Sequence, residues 1–192
     1  MLRNILLITI ILLLSSFHMF FIITIIKSDS MQPTMKEGDF IVMKNLWDAE
    51  HSSFHHGQLV MFKNDTKERV LKRIIGLPGD IVIISNKTVY LKKTNEPAIT
   101  EITNTVVSHG KYLQDGYPLS IFKNTIGDVM FNVAFTGVVP EMKNDYFKQE
   151  SMPLGQWAVP ENALFVMGDN RDFSVDSRFI GFIATSDVVA VE

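Results

Sequence analysis

Cysteine is missing from this chain of 192 residues. Disulfides, thiolate-bound zinc and cysteine nucleophiles are therefore excluded. An exported domain can do without disulfides, so this absence does not fix the compartment. Histidine is scarce, with five in all, and no HExxH-like spacing occurs. His55 and His56 are adjacent and read as solvated loop residues, so no metal and no cofactor is assigned. A GxSxG elbow is also absent, which argues against an α/β-hydrolase, and no histidine sits in a dense motif of the kind a Ser-His-Asp triad would need. The net charge is −3, so there is no basic footprint and no nucleic-acid partner is expected. After residue 27 there is no long amphipathic helical pattern, no internal repeat and no low-complexity tract.

Charge is absent too from the N-terminal stretch. The first 26 residues carry one formal charge, Arg3, and no acid. Ile5 to Ile26 is uncharged throughout, with Ser15, Ser16 and His18 near its middle. As a helix it would be roughly 33 Å long, enough to cross a bilayer core. A cleavable secretory signal has a shorter apolar region and ends in a small-x-small site; here the run ends in Thr24-Ile25-Ile26-Lys27. The reading is an uncleaved anchor over 5–26, with residues 1–4 cytoplasmic and 27–192 an extracytoplasmic domain. Flanking charge is too even for the positive-inside rule to set this orientation; it rests on the function argued below.

Beyond the anchor, short apolar runs read as strands: Phe40–Met43, Leu59–Phe62, Val70–Ile75, Asp80–Ser85, Thr88–Leu91, Ala163–Met167 and Ile180–Ala184. Asn86-Lys87 is a two-residue turn, so the fourth and fifth form a hairpin. The fold class is mostly β, preceded by one transmembrane helix. Residues 92–156, rich in Asn, Thr, Lys and Gly, read as an inserted subregion of extended segments and loops. Trp157 reads as core.

Three segments carry polar chemistry. SDSMQPTM (28–35) places Ser30 in a loop stiffened by Pro33. In RVLKRIIGLPGD (69–80), strand alternation puts Lys72 on one face with Val70 and Ile74. Such a lysine is either desolvated or snorkelling from a half-exposed strand. Desolvation would lower its pKa. A free lysine is neutral only to roughly one part in 2,000 at pH 7, so a lysine base needs that shift. MGDNRDFSVDSRFIGF (167–182) packs acids, arginines and serines between two apolar strands, and reads as a paired polar network.

Together the three segments resemble the type I signal peptidases, peptidase family S26. SDSMQPTM is similar to that family's Ser-x-Ser-Met-x-Pro-Thr box, LKRIIGLPGD to its Lys-Arg-x-x-Gly-Leu-Pro-Gly-Asp box, and GDNRDFSVDSR to its Gly-Asp-Asn-x-x-x-Ser-x-Asp-Ser-Arg box. The resemblance implies a β-rich catalytic domain with Ser30 as nucleophile and Lys72 as general base. It implies an oxyanion hole from the Ser30 N–H and the Ser28 hydroxyl, with Ser174 orienting the lysine. Asp169, Asp176 and Arg178 match positions that hold the site, and Arg73 is expected to pair with Asp169 or Asp176. The implied substrates are exported preproteins with small residues at −3 and −1, met at the bilayer as they leave the translocon. The implied localisation is the cell membrane, single-pass, in the small form typical of Gram-positive bacteria.

Two positions depart from the family pattern. Gly57-Gln58 stands where Gly-Asp is frequent, and Asp29 stands between the two box serines. A carboxylate near Lys72 would raise its pKa. Two rival readings are a self-cleaving repressor-type Ser/Lys peptidase and a membrane-anchored binding protein on the same scaffold. The acidic domain and the apolar N-terminal run oppose the first, and the presence of both Ser30 and Lys72 opposes the second.

Overall fold

The structure is a computed structural model that describes residues 20–47 and 52–192. Fourteen strands are found among these residues, in three antiparallel sheets. The largest runs β1 (Phe21–Ile25), β2 (Phe40–Asn45), β14 (Val188–Val191), β3 (Leu59–Lys63), β4 (Arg69–Gly76), β12 (Ala163–Met167), β13 (Ile183–Ala184) in spatial order. A second sheet joins β11 (Gln156–Ala158), β5 (Ile81–Ser85), β6 (Thr88–Lys92) and β7 (Thr100–Ile102). The third joins β10 (Val129–Phe135), β9 (Tyr117–Ile126) and β8 (Thr105–Gln114).

The strands β3, β4 and β12 are buried on both faces, which is why they read as continuous apolar runs rather than alternating ones. β4 therefore borders several clusters at once. Leu71 packs with Ile26, Met31, Met43 and Met61; Ile74 packs with Val60, Phe62 and Val166; Ile75 joins the largest cluster, centred on Trp157 and Phe165. Trp157 is fully buried, and its Nε1 donates to the Phe147 carbonyl at 2.9 Å, so its one polar atom is satisfied. Asn86 and Lys87 have φ of 49° and 62°, the two left-handed positions of a type I′ hairpin turn, as the spacing suggested.

Three sequence readings are corrected. The anchor does not extend as a helix to Ile26: Phe21–Ile25 is a strand, paired residue for residue with Phe40–Lys44. β-branched Ile and Thr with period-2 exposure suit a half-buried strand. Residues 5–19 of the expected anchor lie outside the described residues, and among the described ones no helix is long and apolar enough to cross a membrane. Second, Ile180–Ala184 is not one strand. Ser177–Ile180 is a single helical turn, α1, because the Asp176 carboxylate accepts the Arg178 N–H at its start and Gly181, at φ 82°, ends it. Only Ile183–Ala184 is extended. Third, the extended segments expected in 92–156 prove longer than their composition suggested, with ten-residue β8 and β9 joined by Asp115-Gly116, both at positive φ, and loops following from 136 to 155. That Asp-Gly pair is the turn signal the composition masked.

Candidate active site

Strand β4 carries two adjacent cations into the interior, Lys72 at 3% exposure and Arg73 at 5%. They point to different partners. Lys72 Nζ lies 2.7 Å from Ser30 Oγ and 3.2 Å from the Leu71 carbonyl. Ser30 sits in a 3₁₀ turn, Asp29–Met31, that follows Ser28. The turn is pinned by Met31, which is buried in the cluster shared with Leu71 and Met61. The first N–H groups of such a turn have no acceptor within it. Ser28 Oγ lies 3.2 Å from Ser30 Oγ. Ser28, Ser30 and Lys72 are thus one contiguous group, although Ser30 and Lys72 are 42 residues apart in sequence.

Burial pushes the Lys72 pKa below the ordinary lysine value; Asp176 and Asp169 pull it back up, and Arg178 adds to the fall. Asp29 is not among these influences. Its carboxylate accepts the Glu37 N–H at 2.9 Å, which holds its own pKa low. The concern that Asp29 would recharge the lysine is thereby removed. Gln58, the other departure, accepts the His55 N–H at 3.2 Å and closes the turn before β3.

Arg73 binds Asp169 in a two-pronged pair, Nε to Oδ1 at 2.8 Å and Nη2 to Oδ2 at 2.7 Å. Its Nη1 donates to the Gly57 carbonyl at 2.6 Å, and its guanidinium lies 4.4 Å from the centre of the Phe131 ring. Thr34, from the same loop as Ser30, donates its hydroxyl to Asp169. The two alternatives for Arg73 resolve in favour of Asp169 because Asp176 is taken by Arg178. There Nε to Oδ1 and Nη2 to Oδ2 are both 2.8 Å. Asp176 also accepts the Gly168 N–H at 2.9 Å. Its pKa is low despite burial, because Arg178 and the Gly168 N–H favour the charged form. Both carboxylates are fully buried, where an unpaired charge would cost several kcal/mol.

The segment 168–171 holds the nucleophile loop from the other side. The Asn170 N–H donates to the Ser30 carbonyl at 3.1 Å, and Asn170 Nδ2 donates to the Asp29 carbonyl at 3.1 Å. Gly168 touches both Ser174 and the Ser30 carbonyl so closely that a Cβ there would meet Ser174 Cβ and Ser30 O at 2.5 Å. Ser174 is buried against this glycine, and its Oγ has no hydrogen-bond partner among the described residues. No bond from Ser174 to Lys72 is formed. Ala134 of β10 exchanges hydrogen bonds with Asp169 and Arg171, each 2.8 Å. The inserted region therefore braces the polar segment.

Gly168, Asn170 and Thr34 are contributors to which the sequence reading gave no role, though all three are letters of the recognised boxes. Arg171 is another. It is 5% exposed, bonds Asn124 at 3.1 Å, and its pKa is pushed down to about 10, by burial first and by Arg178 next. His56 is not simply solvated. Its Nε2 lies 2.6 Å from Asp80 Oδ2, and Asp80 also accepts the Leu77 and Thr94 N–H groups at 2.9 Å. This pair fixes the turn after β4.

Beside Ser30 lies a groove of about 660 Å³. One wall is Thr24 to Ser28, the other Lys67 to Leu71, and the floor includes Met31 and Met61. β4 is paired to β3 over residues 69–73 but to β12 only over 73–76. Its first half therefore presents an unpaired strand edge, among the described residues, toward the groove.

The family described as "Signal peptidase, peptidase S26" matches residues 1–192. The chain belongs to that signal peptidase family. A signal peptidase I of Buchnera aphidicola subsp. Baizongia pistaciae is 28% identical over 203 residues, covering 85% of this chain and 66% of the relative. That of Buchnera aphidicola subsp. Schizaphis graminum is 30% identical over 220 residues, covering 91% and 70%. A signal peptidase IB of Staphylococcus aureus (strain Mu50) is 29% identical over 166 residues, covering 85% and 71%. The chain thus spans about two thirds of the length of these signal peptidases.

Proposed function

We propose that this member of the signal peptidase family is a serine endopeptidase that removes signal peptides from exported preproteins. The observation that carries the reading is the 2.7 Å contact between Ser30 Oγ and a buried, desolvated Lys72 Nζ. A hydroxyl needs an adjacent base to become a nucleophile, and a lysine serves when its amine is neutral. At that separation the Ser30 hydroxyl can donate to the neutral amine. Lys72 takes its proton as Oγ attacks the scissile carbonyl, then gives it to the leaving amine. The same amine next draws a proton from water, which attacks the ester carbonyl and frees Ser30. The oxyanion is met by the Ser30 N–H and the Ser28 hydroxyl, two donors of the kind acyl transfer needs. Ser174 stands against Gly168 and the Ser30 carbonyl; its role is to support the dyad rather than to bond the lysine in the resting state.

The groove supports the peptide substrate. An extended chain can add to the free edge of β4, with the opposite wall at Thr24–Ser28, as in strand addition. Residues −1 and −3 then face the same way, toward a floor closed by Met31 and Met61. This floor is read as the surface that meets the small −1 and −3 side chains of Ala-x-Ala sites.

The bilayer is the second partner. Phe21, Ile23 and Ile25 of β1 and Phe40 and Val42 of β2 are exposed and lie side by side across the strand pair. This apolar face adjoins the uncharged stretch that begins at Ile5. The proposed arrangement is an N-terminal attachment to the membrane with the catalytic domain outside, held where cleavage sites emerge.

The test is incubation of the detergent-solubilised chain with a preprotein bearing one Ala-x-Ala site, followed by sequencing of the product's N-terminus. Cleavage after the −1 alanine, absent in Ser30→Ala, is the expected result. Cleavage elsewhere, or cleavage retained by Ser30→Ala, overturns the reading. Gly168→Ala gives an independent check. The added methyl must displace Ser174 or the Ser30 carbonyl, so kcat is expected to fall by about 100-fold, the scale of a misplaced reacting group. Its circular dichroism spectrum should match that of the wild type.

A further inference from the structure

The groove walls beyond the dyad carry an uneven set of charges. Lys27 stands on one wall and Lys67 and Arg69 on the other, and Glu68 is the one acid lining it. The three cations are exposed and form no ion pair among the described residues. Glu68 Oε2 accepts the Thr66 hydroxyl at 3.3 Å, which draws its charge toward the hairpin tip. Asp65, at that tip, does not line the groove.

Lys67 is not a free-swinging residue. It has φ of 64°, and the turn is built by Asn64, whose N–H donates to the Glu68 carbonyl and whose Oδ1 accepts the Glu68 N–H at 2.8 Å. The Lys67 N–H in turn donates to the Asn64 carbonyl at 2.8 Å. The base of the Lys67 side chain is thus fixed beside the groove, and Arg69 is fixed by its pairing with Lys63 across β3 and β4.

We infer that Lys27, Lys67 and Arg69 form a cationic rim that selects a carboxylate side chain at positions −4 and −6 of the peptide. This rests on the peptidase reading above. The position follows from strand geometry. Arg69 precedes Lys72 by three residues, about 10 Å along the strand, and Lys67 lies in the turn just before the strand begins. A peptide added parallel to β4 with its scissile carbonyl at Ser30 brings residue −4 beside Arg69 and residue −6 near the turn that carries Lys67, on the face opposite −1 and −3. Lys27 faces them from the other wall. Exposed pairs are weak singly, but a cleft lined by charges of one sign concentrates their field. The rim therefore acts on binding and not on the chemical step.

The experiment uses the full chain in a neutral detergent and three peptides with the same Ala-x-Ala site, differing only by Glu, Gln or Lys at −4. KM for the Lys peptide is expected to exceed that for the Glu peptide by about tenfold at low salt and by about twofold at 0.5 M salt, with kcat unchanged. In the double variant Lys67→Asn, Arg69→Gln the ratio falls to near one; asparagine suits the positive φ at 67. Equal KM values for the three peptides overturn the inference, as does a preference that survives in the double variant. A preference seen only when anionic lipid vesicles are added assigns the cations to the bilayer and also overturns it. Cleavage of the Gln peptide by the wild type but not by Ser30→Ala reports on the peptidase reading separately, whichever way the charge series falls.

Discussion

Lys72→Met is expected to lower kcat/KM by about 10³-fold or more while raising the stability of the fold. The loss follows from removing the base, since a positioned proton acceptor contributes about 10²–10⁴-fold to such a step. The gain follows from burial. The unfolded chain holds the Lys72 proton up to about pH 10.4, whereas the folded chain releases it at lower pH because the ammonium is desolvated. Between those two values the unfolded state binds more protons, so folding stability rises with pH, and below the folded pKa the buried ammonium is a standing cost. Methionine matches the length of lysine without the charge. The variant should unfold at a higher temperature than the wild type at pH 7 and should lose this component of the alkaline rise in stability. Thermal unfolding of both proteins across pH 6–10 checks this. Unchanged or lower Tm in the variant would mean that Lys72 is not desolvated.

Asp176→Asn is expected to act on stability and on the dyad together. Asp176 meets Arg178 in two 2.8 Å bonds, and both are buried. Removing one charge of a buried pair costs about 3–5 kcal/mol, because the partner is left uncompensated. Tm should fall by roughly 10 °C. Asp176 is also the strongest of the charges that raise the Lys72 pKa. Its neutralisation should therefore move the acidic, ascending limb of the pH–rate profile to lower pH. A purely structural aspartate would lower Tm without moving that limb. Asp169→Asn should share the first effect, through Arg73, and show the second more weakly, since Asp169 ranks after Asp176 among those charges.

Much of the site could be read before any coordinates, because its chemistry is carried by three short segments. Ser28 and Ser30 are close in sequence, and Lys72 and Arg73 are adjacent. What the sequence left open was partnership across the fold. Arg73 had two candidate acids, and only the pairing of β4 with β12, which sets Met167 opposite Arg73, brings Asp169 rather than Asp176 to it. The His56–Asp80 bond was missed for the same reason: two loops 24 residues apart meet only because β3 and β4 are neighbours. Gly168 could be read as part of its box but not for its role, since its small size matters only against Ser174 and the Ser30 carbonyl.

The fold was legible where apolar runs were short and sharply bounded, as in β3, β4 and β12. It failed where hydrophobicity alone had two explanations. Phe21–Ile25 continues an apolar run suited to a helix, yet pairing with β2 makes it a strand. Polar faces hid the bounds of the ten-residue strands β8 and β9 within the extended segments expected there, because β9 alternates buried with exposed positions. Ile180–Ala184 was lost to a local cap, the Asp176 carboxylate, that overrode the β-propensity of its isoleucines.

The account stands on a neutral Lys72 beside Ser30, and the pKa of that amine is the measurement that reaches it most directly. Nitrogen-15 NMR of the Lys72 Nζ, assigned by its loss in Lys72→Met, should show titration below the ordinary lysine value of about 10.4 and at the same pH as the acidic, ascending limb of kcat/KM for an Ala-x-Ala peptide. A Lys72 amine that titrates at or above the ordinary lysine value, with the limb elsewhere, would contradict the proposed mechanism.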